Sequence, residues 1–296
     1  MTEQIKIVEV GPRDGLQNEA KTVDLETRLG LIAKLVEAGV QHIEAASFVS
    51  PKWVPQMAGS ADLMKRLPRS AAVHYSALTP NLQGLEAAID AGCKEVAVFA
   101  SASEQFSQRN INCSIRESLE RFRSVLETAG AHGIRVRGYV SCVLWCPYEG
   151  RVKPEQAAEV ALMLHEMGCH EISLGDTIGR GTPGEVLGML QATARRVPVH
   201  QLAGHFHDTY GMAIANVAAS LEAGVRTFDS SVAGLGGCPY AAGASGNVAT
   251  EDLVYLLHGL GYTSGIDLHK LAEAGQFISQ ALGRESGSRV GRVLMR

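Results

Sequence analysis

The sequence lacks several features that would place it outside the ordinary globular enzymes. No apolar run reaches membrane-spanning length, so a transmembrane helix is not expected. The 27 basic and 31 acidic residues give a net charge of −4, which offers no reason to expect nucleic acid or an anionic membrane as a partner. Because no linker or low-complexity segment divides the chain, we expect residues 1–296 to form a single domain.

Cysteine is also sparse. The six cysteines are scattered, and a chain of this length needs no disulfide framework, so we expect a reducing, cytoplasmic location. The N-terminal stretch MTEQIKIVEV agrees with this expectation, since it resembles neither a secretory signal nor an Arg/Ser-rich leader. Cys142 and Cys146 form a C-x3-C pair, but no second pair accompanies it, which argues against structural zinc.

Glycine, in contrast, is concentrated in one stretch. Gly234 to Gly246, GLGGCPYAAGASG, has five glycines in thirteen residues and is followed by Asn247. Such a segment favours neither helix nor strand, so it predicts a long loop. Its one nucleophilic or acid–base side chain is Cys238, and loops on rigid scaffolds often carry chemistry. The alternative is a surface hairpin that holds a buried cysteine.

One short unit recurs along the chain. It reads EAGVQHIEAA at 37–46, DAGCKEVAVFA at 90–100, EMGCHEISLG at 166–175 and EAGVRTFDSS at 222–231. In each copy an acidic residue comes two positions before a glycine, and a strand-core residue comes four positions after it. The unit predicts a helix that ends on a left-handed glycine, followed by a buried strand.

Strands and helices are predicted to alternate. The strands are Ile5–Val10, His42–Ala46, Val73–Ala77, Glu95–Ala100, Arg135–Ser141, Glu171–Leu174, Leu202–Phe206 and Thr227–Val232. The helices are Asp24–Ala38, Asn81–Ala91, Ser114–His132, Pro154–Met167, Pro183–Arg195, Met212–Ala223, Ala249–His258 and Asp267–Leu282, with a broken helix over 51–67. We therefore predict an α/β fold, a (β/α)8 TIM barrel with an additional C-terminal helix. An open doubly wound sheet is the alternative, but no G-x-G-x-x-G follows the first strand.

Polar residues follow several of these strands at their C-terminal ends, where barrel enzymes place their active sites. They are Arg13, Asp14, Gln17, Glu44, Asp176, His205, His207 and Asn247. His205 and His207 are two apart on a strand, so both imidazoles point to one face. Asp14 and Asn247 would add oxygen ligands, and two nitrogens with two oxygens suit Mg²⁺ or Mn²⁺. The alternative for the histidine pair is one exposed and one hydrogen-bonded ring.

At this point the chain resembles the 3-hydroxy-3-methylglutaryl-CoA lyase family over essentially its whole length. The resemblance rests on VGPRDGLQNE (10–19), SFVSPKWVPQM (47–57), KEVAVFASASE (94–104), RNINCSI (109–115), RGYVSCV (137–143), ISLGDTIG (172–179), HFHDTYG (205–211) and SSVAGLGGCPYAAGASGNVATEDLVY (230–255). The stretch around the cysteine is close to diagnostic for that lyase. The arginine–aspartate and HxH signatures are shared with a wider superfamily of metal-dependent TIM-barrel lyases and condensing enzymes.

The resemblance implies cleavage of (S)-3-hydroxy-3-methylglutaryl-CoA to acetoacetate and acetyl-CoA, with Mg²⁺ or Mn²⁺. It implies four metal ligands, Asp14, His205, His207 and Asn247. Arg13 would face the thioester carbonyl, and Cys238 would lie on a loop that closes over the substrate. Glu44, Asp176 and Gln17 match active-site positions of the family, and Arg109 and Asn110 match a segment near the CoA moiety.

The retro-Claisen chemistry needs a base for the tertiary alcohol and an acid for the carbanion. Cys238, His205 and Asp176 are the candidates, with Cys238 preferred for protonating the carbanion carbon. A lyase for a longer branched 3-hydroxyglutaryl-CoA, a condensing enzyme and a non-catalytic acyl-CoA-binding barrel remain as alternatives. We expect a homodimer or higher homo-oligomer. The stretch GRVLMR lacks the regulatory cysteine of the animal enzymes, so thiol-linked dimer control is not expected.

Overall fold

The computed structural model describes residues 3–237 and 246–296, which form a closed barrel of eight parallel strands. In chain order the strands are β1 Lys6–Glu9, β2 His42–Ser47, β3 His74–Leu78, β4 Glu95–Ser101, β5 Arg135–Ser141, β6 Trp145–Cys146, β7 Gly150–Arg151, β8 Glu171–Asp176, β9 Leu202–Phe206 and β10 Thr227–Ser230. Strands β6 and β7 form a separate antiparallel hairpin. The other eight close in the order β1-β2-β3-β4-β5-β8-β9-β10, which confirms the predicted barrel and all eight predicted strands.

Helices surround the barrel. In chain order they are α1 Leu25–Glu37, α2 Ser60–Arg66, α3 Leu82–Asp90, α4 Glu104–Ile111, α5 Ile115–Ala131, α6 Pro154–Glu166, α7 Pro183–Ala194, α8 Ala213–Glu222, α9 Thr250–Gly259, α10 Leu268–Leu282 and α11 Arg289–Leu294. Each predicted helix is present, and the predicted broken helix is a 3-10 turn, Pro55–Met57, followed by α2. Among the described residues, no helix is both long and apolar enough to cross a membrane.

The recurring glycine unit has the predicted conformation. Gly39, Gly92, Gly168 and Gly224 have φ angles of 95°, 81°, 104° and 91°, a left-handed region that a side chain would strain. Each glycine follows the C-terminus of a helix and precedes a barrel strand, so it reverses the chain toward the barrel. This explains why the unit recurs at each of these helix-to-strand turns.

Two elements differ from the sequence-based expectation. Helix α4 was not predicted, because EQFSQRNI carries too few apolar residues to show a helical period. It is nevertheless capped, since the Ser103 hydroxyl accepts the Phe106 backbone N–H at 3.1 Å. The C-terminal part carries two helices, α10 and α11, where one helix with a frayed end was expected.

The barrel interior carries charge where many such barrels carry branched aliphatic side chains. Arg137, 2% exposed, donates to Glu171 Oε1 at 2.7 Å and to Asp229 Oδ1 at 2.7 Å. Lys6 Nζ donates to Glu171 Oε2 at 2.9 Å. Buried charges are tolerated only when they are paired in this way, so these side chains are fixed in position. The main apolar core lies instead between the strands and the helices.

Candidate active site

A cavity of about 500 Å³ opens at the C-terminal ends of the barrel strands. Its lining residues come from nearly every part of the barrel mouth and include Arg13, Asp14, Gln17, Leu78, Phe99, Asn110, Tyr139, Thr177, His205 and His207. Three larger surface grooves lie elsewhere: one along α10 and α11, one between α5 and α6, and one beside the starts of β3 and β4. Of the cavities formed by the described residues, the one in the barrel mouth contains the predicted histidine pair, so it is the candidate active site.

Asp14, His205 and His207 form a compact group in this cavity. Their potential ligand atoms all lie within 4.8 Å of one another, and the two histidine Nε2 atoms are 3.3 Å apart. His205 lies within β9 and His207 directly follows it, whereas Asp14 lies in a π-helical turn, Gly11–Gly15, after β1. Because β9, β10 and β1 are neighbours in the closed barrel, residues almost two hundred positions apart meet here.

His205 is held by a carboxylate behind it. Its Nδ1 lies 3.0 Å from Asp229 Oδ2, and this carboxylate also accepts hydrogen bonds from Arg137 and from the Ser173 hydroxyl at 2.7 Å. An ionised carboxylate only accepts, so Nδ1 carries the proton and Nε2 presents a lone pair to the cavity. Metal-binding histidines are commonly oriented in this manner.

Asn247 completes the predicted group. Its Nδ2 donates to Asp14 Oδ2 at 2.9 Å, and its backbone forms an isolated bridge with His207. Within residues 3–237 and 246–296, the buried atoms Asn247 Oδ1 and His207 Nδ1 have no hydrogen-bond partner. Two imidazole nitrogens that face each other, a carboxylate and a free amide oxygen are a donor set that fits a divalent cation.

Electrostatics keep two of these groups in the form that binds a cation. Burial and the neighbouring His205 lower the pKa of His207 to about 4, so its imidazole is neutral at pH 7. Burial alone would raise the pKa of Asp14, but the positive charge of Arg13 and the nearby histidines outweigh it, and the pKa falls to about 2. A neutral imidazole and an ionised carboxylate are the ligating forms.

Arg13 lies between two carboxylates. Its Nη1 donates to Asp14 Oδ1 at 2.6 Å and its Nη2 to Glu44 Oε2 at 2.9 Å. The pairing with Glu44 that could have made Arg13 purely structural is therefore present, and the Tyr139 hydroxyl donates to the same oxygen at 2.6 Å. Arg13 still lines the cavity, next to the group formed by Asp14 and the histidines. Burial disfavours its charge, but the two carboxylates outweigh this effect and its pKa is raised.

The remaining predicted residues are placed less uniformly. Asp176 is fully buried at the end of β8, where its carboxylate accepts the backbone N–H groups of Arg180 at 3.3 Å and Gly181 at 2.8 Å. Burial raises the pKa of Asp176 to about 6, despite these hydrogen bonds. Its neighbour Thr177 lines the cavity, whereas Asp176 is not among the lining residues.

Gln17 lines the cavity, and its buried Oε1 has no partner among the described residues.

Arg109 and Asn110 lie at the C-terminal end of α4, near the rim. Asn110 lines the cavity, whereas the Arg109 guanidinium stacks over the Tyr148 ring at 4.3 Å. Cys238 and most of its glycine-rich stretch lie outside the described residues. The other five cysteines form no disulfide within the described part of the chain, and all of them are buried.

Three residues of the site were missed by the sequence-based prediction: Arg137, Tyr139 and Asp229. Tyr139 donates to Glu44, and its ring centroid is 5.9 Å from that of His205 in an edge-on contact. The sequence did carry a sign of these residues. Arg137 and Asp229 are charged residues inside predicted strands whose neighbouring positions include apolar residues. A charge in a buried strand needs a partner, which would have pointed to the barrel interior.

Comparisons with known proteins agree on one family. A protein-family model described as HMGL-like matches residues 4–278. The hydroxymethylglutaryl-CoA lyase of Pseudomonas mevalonii is 62% identical over 98% of this chain and 96% of that protein. A Pseudomonas aeruginosa protein named 3-hydroxy-3-isohexenylglutaryl-CoA/hydroxy-methylglutaryl-CoA lyase is 58% identical over 100% of this chain and 98% of that protein.

The fold gives the same result. The crystal structure of hydroxymethylglutaryl-CoA lyase from Pseudomonas aeruginosa matches with a TM-score of 0.97 and 58% identity, covering 100% of this chain and 98% of that one. The family match spans nearly the whole barrel, including the stretches that supply Asp14, His205, His207 and Asn247. The chain therefore belongs to the HMGL-like family.

Proposed function

We propose that this chain cleaves (S)-3-hydroxy-3-methylglutaryl-CoA to acetoacetate and acetyl-CoA, with Mg²⁺ or Mn²⁺ as its cation. The observation that carries this proposal is the convergence of Asp14, His205 and His207 beside Arg13 in one cavity of the barrel mouth. A non-catalytic acyl-CoA-binding barrel would not need two facing imidazole nitrogens and an ionised carboxylate there.

The reaction sets three demands. The proton of the tertiary alcohol leaves to a base, the bond between C2 and C3 breaks, and the resulting acetyl-CoA enolate is protonated at carbon. A divalent cation held by Asp14, His205, His207 and Asn247 would supply Lewis acidity for the substrate oxygens. The protein must supply the rest: a fixed positive charge near the enolate oxygen, and groups that move protons.

Arg13 is suited to the first task. Its guanidinium stays protonated at any working pH, and its two ion pairs fix its orientation before substrate binds. A thioester oxygen is nearly neutral in the substrate and anionic in the enolate, so the interaction with Arg13 strengthens as the bond breaks.

Proton transfer is assigned to Asp176 and Cys238. Asp176 lies at the end of β8, directly before the cavity-lining Thr177, and burial raises the pKa of its carboxyl to about 6, closer to neutrality than that of an exposed carboxyl. His205 would have neither ring nitrogen free, because Nδ1 is bonded to Asp229 and Nε2 faces the metal ligands. We therefore propose His205 as a ligand, and Cys238 as the donor to the carbanion carbon.

A coupled assay for acetoacetate tests the function directly. Turnover of 3-hydroxy-3-methylglutaryl-CoA should disappear with a chelator and return with Mg²⁺ or Mn²⁺. Full activity of the stripped enzyme would exclude the metal assignment, and absence of acetoacetate under all conditions would exclude the lyase.

A longer branch on the substrate is a second candidate. The P. aeruginosa relative is named for both the isohexenyl and the methyl substrate, and here Leu78, Phe99 and Tyr139 give the cavity an apolar side. Both reactions would use the same polar residues. The two substrates would therefore be distinguished only by how the apolar side of the cavity accepts the branch. Values of kcat/KM measured with both thioesters on one preparation separate them.

We also propose a homodimer or higher homo-oligomer that works in a reducing cytoplasm. The five buried cysteines, none of them in a disulfide within the described residues, are compatible with that compartment. Light scattering coupled to gel filtration gives the oligomeric state directly.

A further inference from the structure

We propose that Asp229 is the residue that positions His205 for metal binding, by fixing its imidazole in the Nδ1–H form. The inference rests on the metal-dependent function proposed above and extends it to a residue outside the ligand group.

Asp229 is buried, and its hydrogen bonds hold its carboxylate in one orientation. It is 1% exposed and lies in β10, one strand away from His205 in β9. Arg137 donates to both of its oxygens, at 2.7 and 3.0 Å, and the Ser173 hydroxyl donates to Oδ2 at 2.7 Å. Arg137 is fixed in turn by Glu171. Three hydrogen bonds, two from Arg137 and one from Ser173, thus fix the carboxylate independently of His205.

The anchored carboxylate determines the tautomer of His205. With the Oδ2–Nδ1 distance at 3.0 Å, the alternative tautomer would set the Nδ1 lone pair against a carboxylate oxygen, a repulsive contact. The Nδ1–H form makes a charge-assisted hydrogen bond and turns the Nε2 lone pair toward His207 and Asp14. Asp229 also keeps the ring from rotating, so the ligand is preorganised.

This arrangement predicts the effect of Asp229→Asn. The amide cannot accept from Arg137 with both of its terminal atoms, and its NH2 group would favour the Nε2–H form of His205. We expect Mn²⁺ affinity to fall about 10- to 100-fold, the usual effect of losing such an outer partner. The measurement is Mn²⁺ binding to purified apoprotein by electron paramagnetic resonance, with circular dichroism as a check on folding.

Glu95→Gln is the matched control. Glu95 is also a largely buried carboxylate of a barrel strand, but its ion pairs are with Arg135 and His170, and among the described contacts it bonds neither Arg137 nor His205. If Asp229 acted only through barrel stability, both variants would lose Mn²⁺ affinity alike. We expect Glu95→Gln to stay within about threefold of wild type, in contrast to the larger loss of Asp229→Asn.

Nitrogen NMR of histidine-labelled wild-type apoprotein tests the proposal without any variant. Two-bond proton–nitrogen correlations distinguish the tautomers, and His205 should show the proton on Nδ1. The Nε2–H form in the wild type, or Mn²⁺ affinity of Asp229→Asn within threefold of wild type, would overturn the proposal while leaving the lyase function in place. Failure of the wild type to bind Mn²⁺ would remove the metal site itself, and the role of Asp229 with it.

Discussion

Arg13 forms ion pairs with Asp14 and Glu44 and still lines the cavity, where it is proposed to stabilise the enolate oxygen. Its ion pairs with Asp14 and Glu44 leave Nε without a hydrogen-bond partner among the described residues. Glu44 is shared with Tyr139, so loss of Arg13 would not leave that carboxylate without a donor. If the charge of Arg13 is removed, Glu44 therefore keeps the hydrogen bond from Tyr139, and Asp14 keeps the one from Asn247.

For Arg13→Met we expect kcat to fall roughly 10²- to 10³-fold, the usual scale for losing one charge-stabilising donor. Mn²⁺ affinity should change much less, because Arg13 supplies no ligand atom and repels the cation. Steady-state kinetics and Mn²⁺ binding on the same preparation separate the two roles. A kcat within tenfold of wild type, or an equal loss of Mn²⁺ affinity, would show that Arg13 is structural.

Cys238 carries a second prediction at this scale, based on sequence alone. A thiol-directed alkylating reagent should inactivate the enzyme, bound substrate should protect it, and peptide mapping should place the adduct on Cys238. Burial raises the pKa of Cys93 and Cys169 to about 12, so these thiols should react slowly. Cys93→Ala serves as the control variant. If Cys238→Ala retains more than half of kcat, the acid–base assignment is wrong.

Two buried carboxylates, Glu9 and Glu251, hold the 3-10 turn Val232–Gly234, which follows β10. Glu9 Oε1 accepts the backbone N–H groups of Gly11 at 2.8 Å and Val232 at 2.9 Å, and Glu251 accepts that of Ala233 at 3.0 Å. Ala233 has a φ of 56°, which is unusual for a residue with a side chain. These hydrogen bonds hold the strained turn in place at the start of the glycine-rich stretch.

These carboxylates should make stability depend on pH. Burial raises the pKa of Glu251 to about 8 and that of Glu9 to about 7, against roughly 4.3 in an unfolded chain. Between these values the folded chain retains protons that the unfolded chain has lost, so the free energy of unfolding falls as pH rises toward 8. The limiting slope is about 1.4 kcal/mol per pH unit for each group that stays protonated in the folded chain.

Urea unfolding from pH 6.5 to 8.5 tests this slope. Below pH 6.5 the half-buried His42 and the buried His207, whose pKa values are lowered to about 4, act in the opposite direction, so the window starts there. Glu251→Gln should flatten the dependence and raise stability at pH 8.5. Glu120→Gln, at a side chain that is 61% exposed, should leave the slope unchanged. Equal slopes in wild type and Glu251→Gln would contradict the prediction.

The elements were more predictable than the contacts between them. Strands and capped helices follow from local pattern, such as the glycines at 39, 92, 168 and 224, so the barrel could be predicted from sequence. Helix α4 could not, because its eight residues carry too few apolar side chains to show a helical period. The Arg137–Asp229 pair joins residues 92 positions apart, and only the closed barrel reveals it.

For the whole molecule, closure of the barrel is what assembles the candidate metal site. Asp14 follows β1, His205 lies in β9 with His207 directly after it, and Asn247 follows β10, so the proposed ligands span the seam where the first and last strands pair. The HxH spacing predicted that two imidazoles share a face, and that part is confirmed. The carboxylate behind His205 was beyond prediction, since a strand pattern does not show which side chains meet inside a barrel.

A site that spans this seam exists only in the folded chain, so cation binding should stabilise the whole barrel. At a free concentration of 100 times Kd the gain is about 2.7 kcal/mol, which for a chain of this length corresponds to a rise in Tm of roughly 4 °C. Thermal unfolding of apoprotein with added Mn²⁺ or Mg²⁺, against KCl at equal ionic strength, measures the shift. His207→Ala should fold but lose most of it, because one ligand of the seam is gone. The same shift in His207→Ala as in wild type would locate the cation elsewhere on the protein.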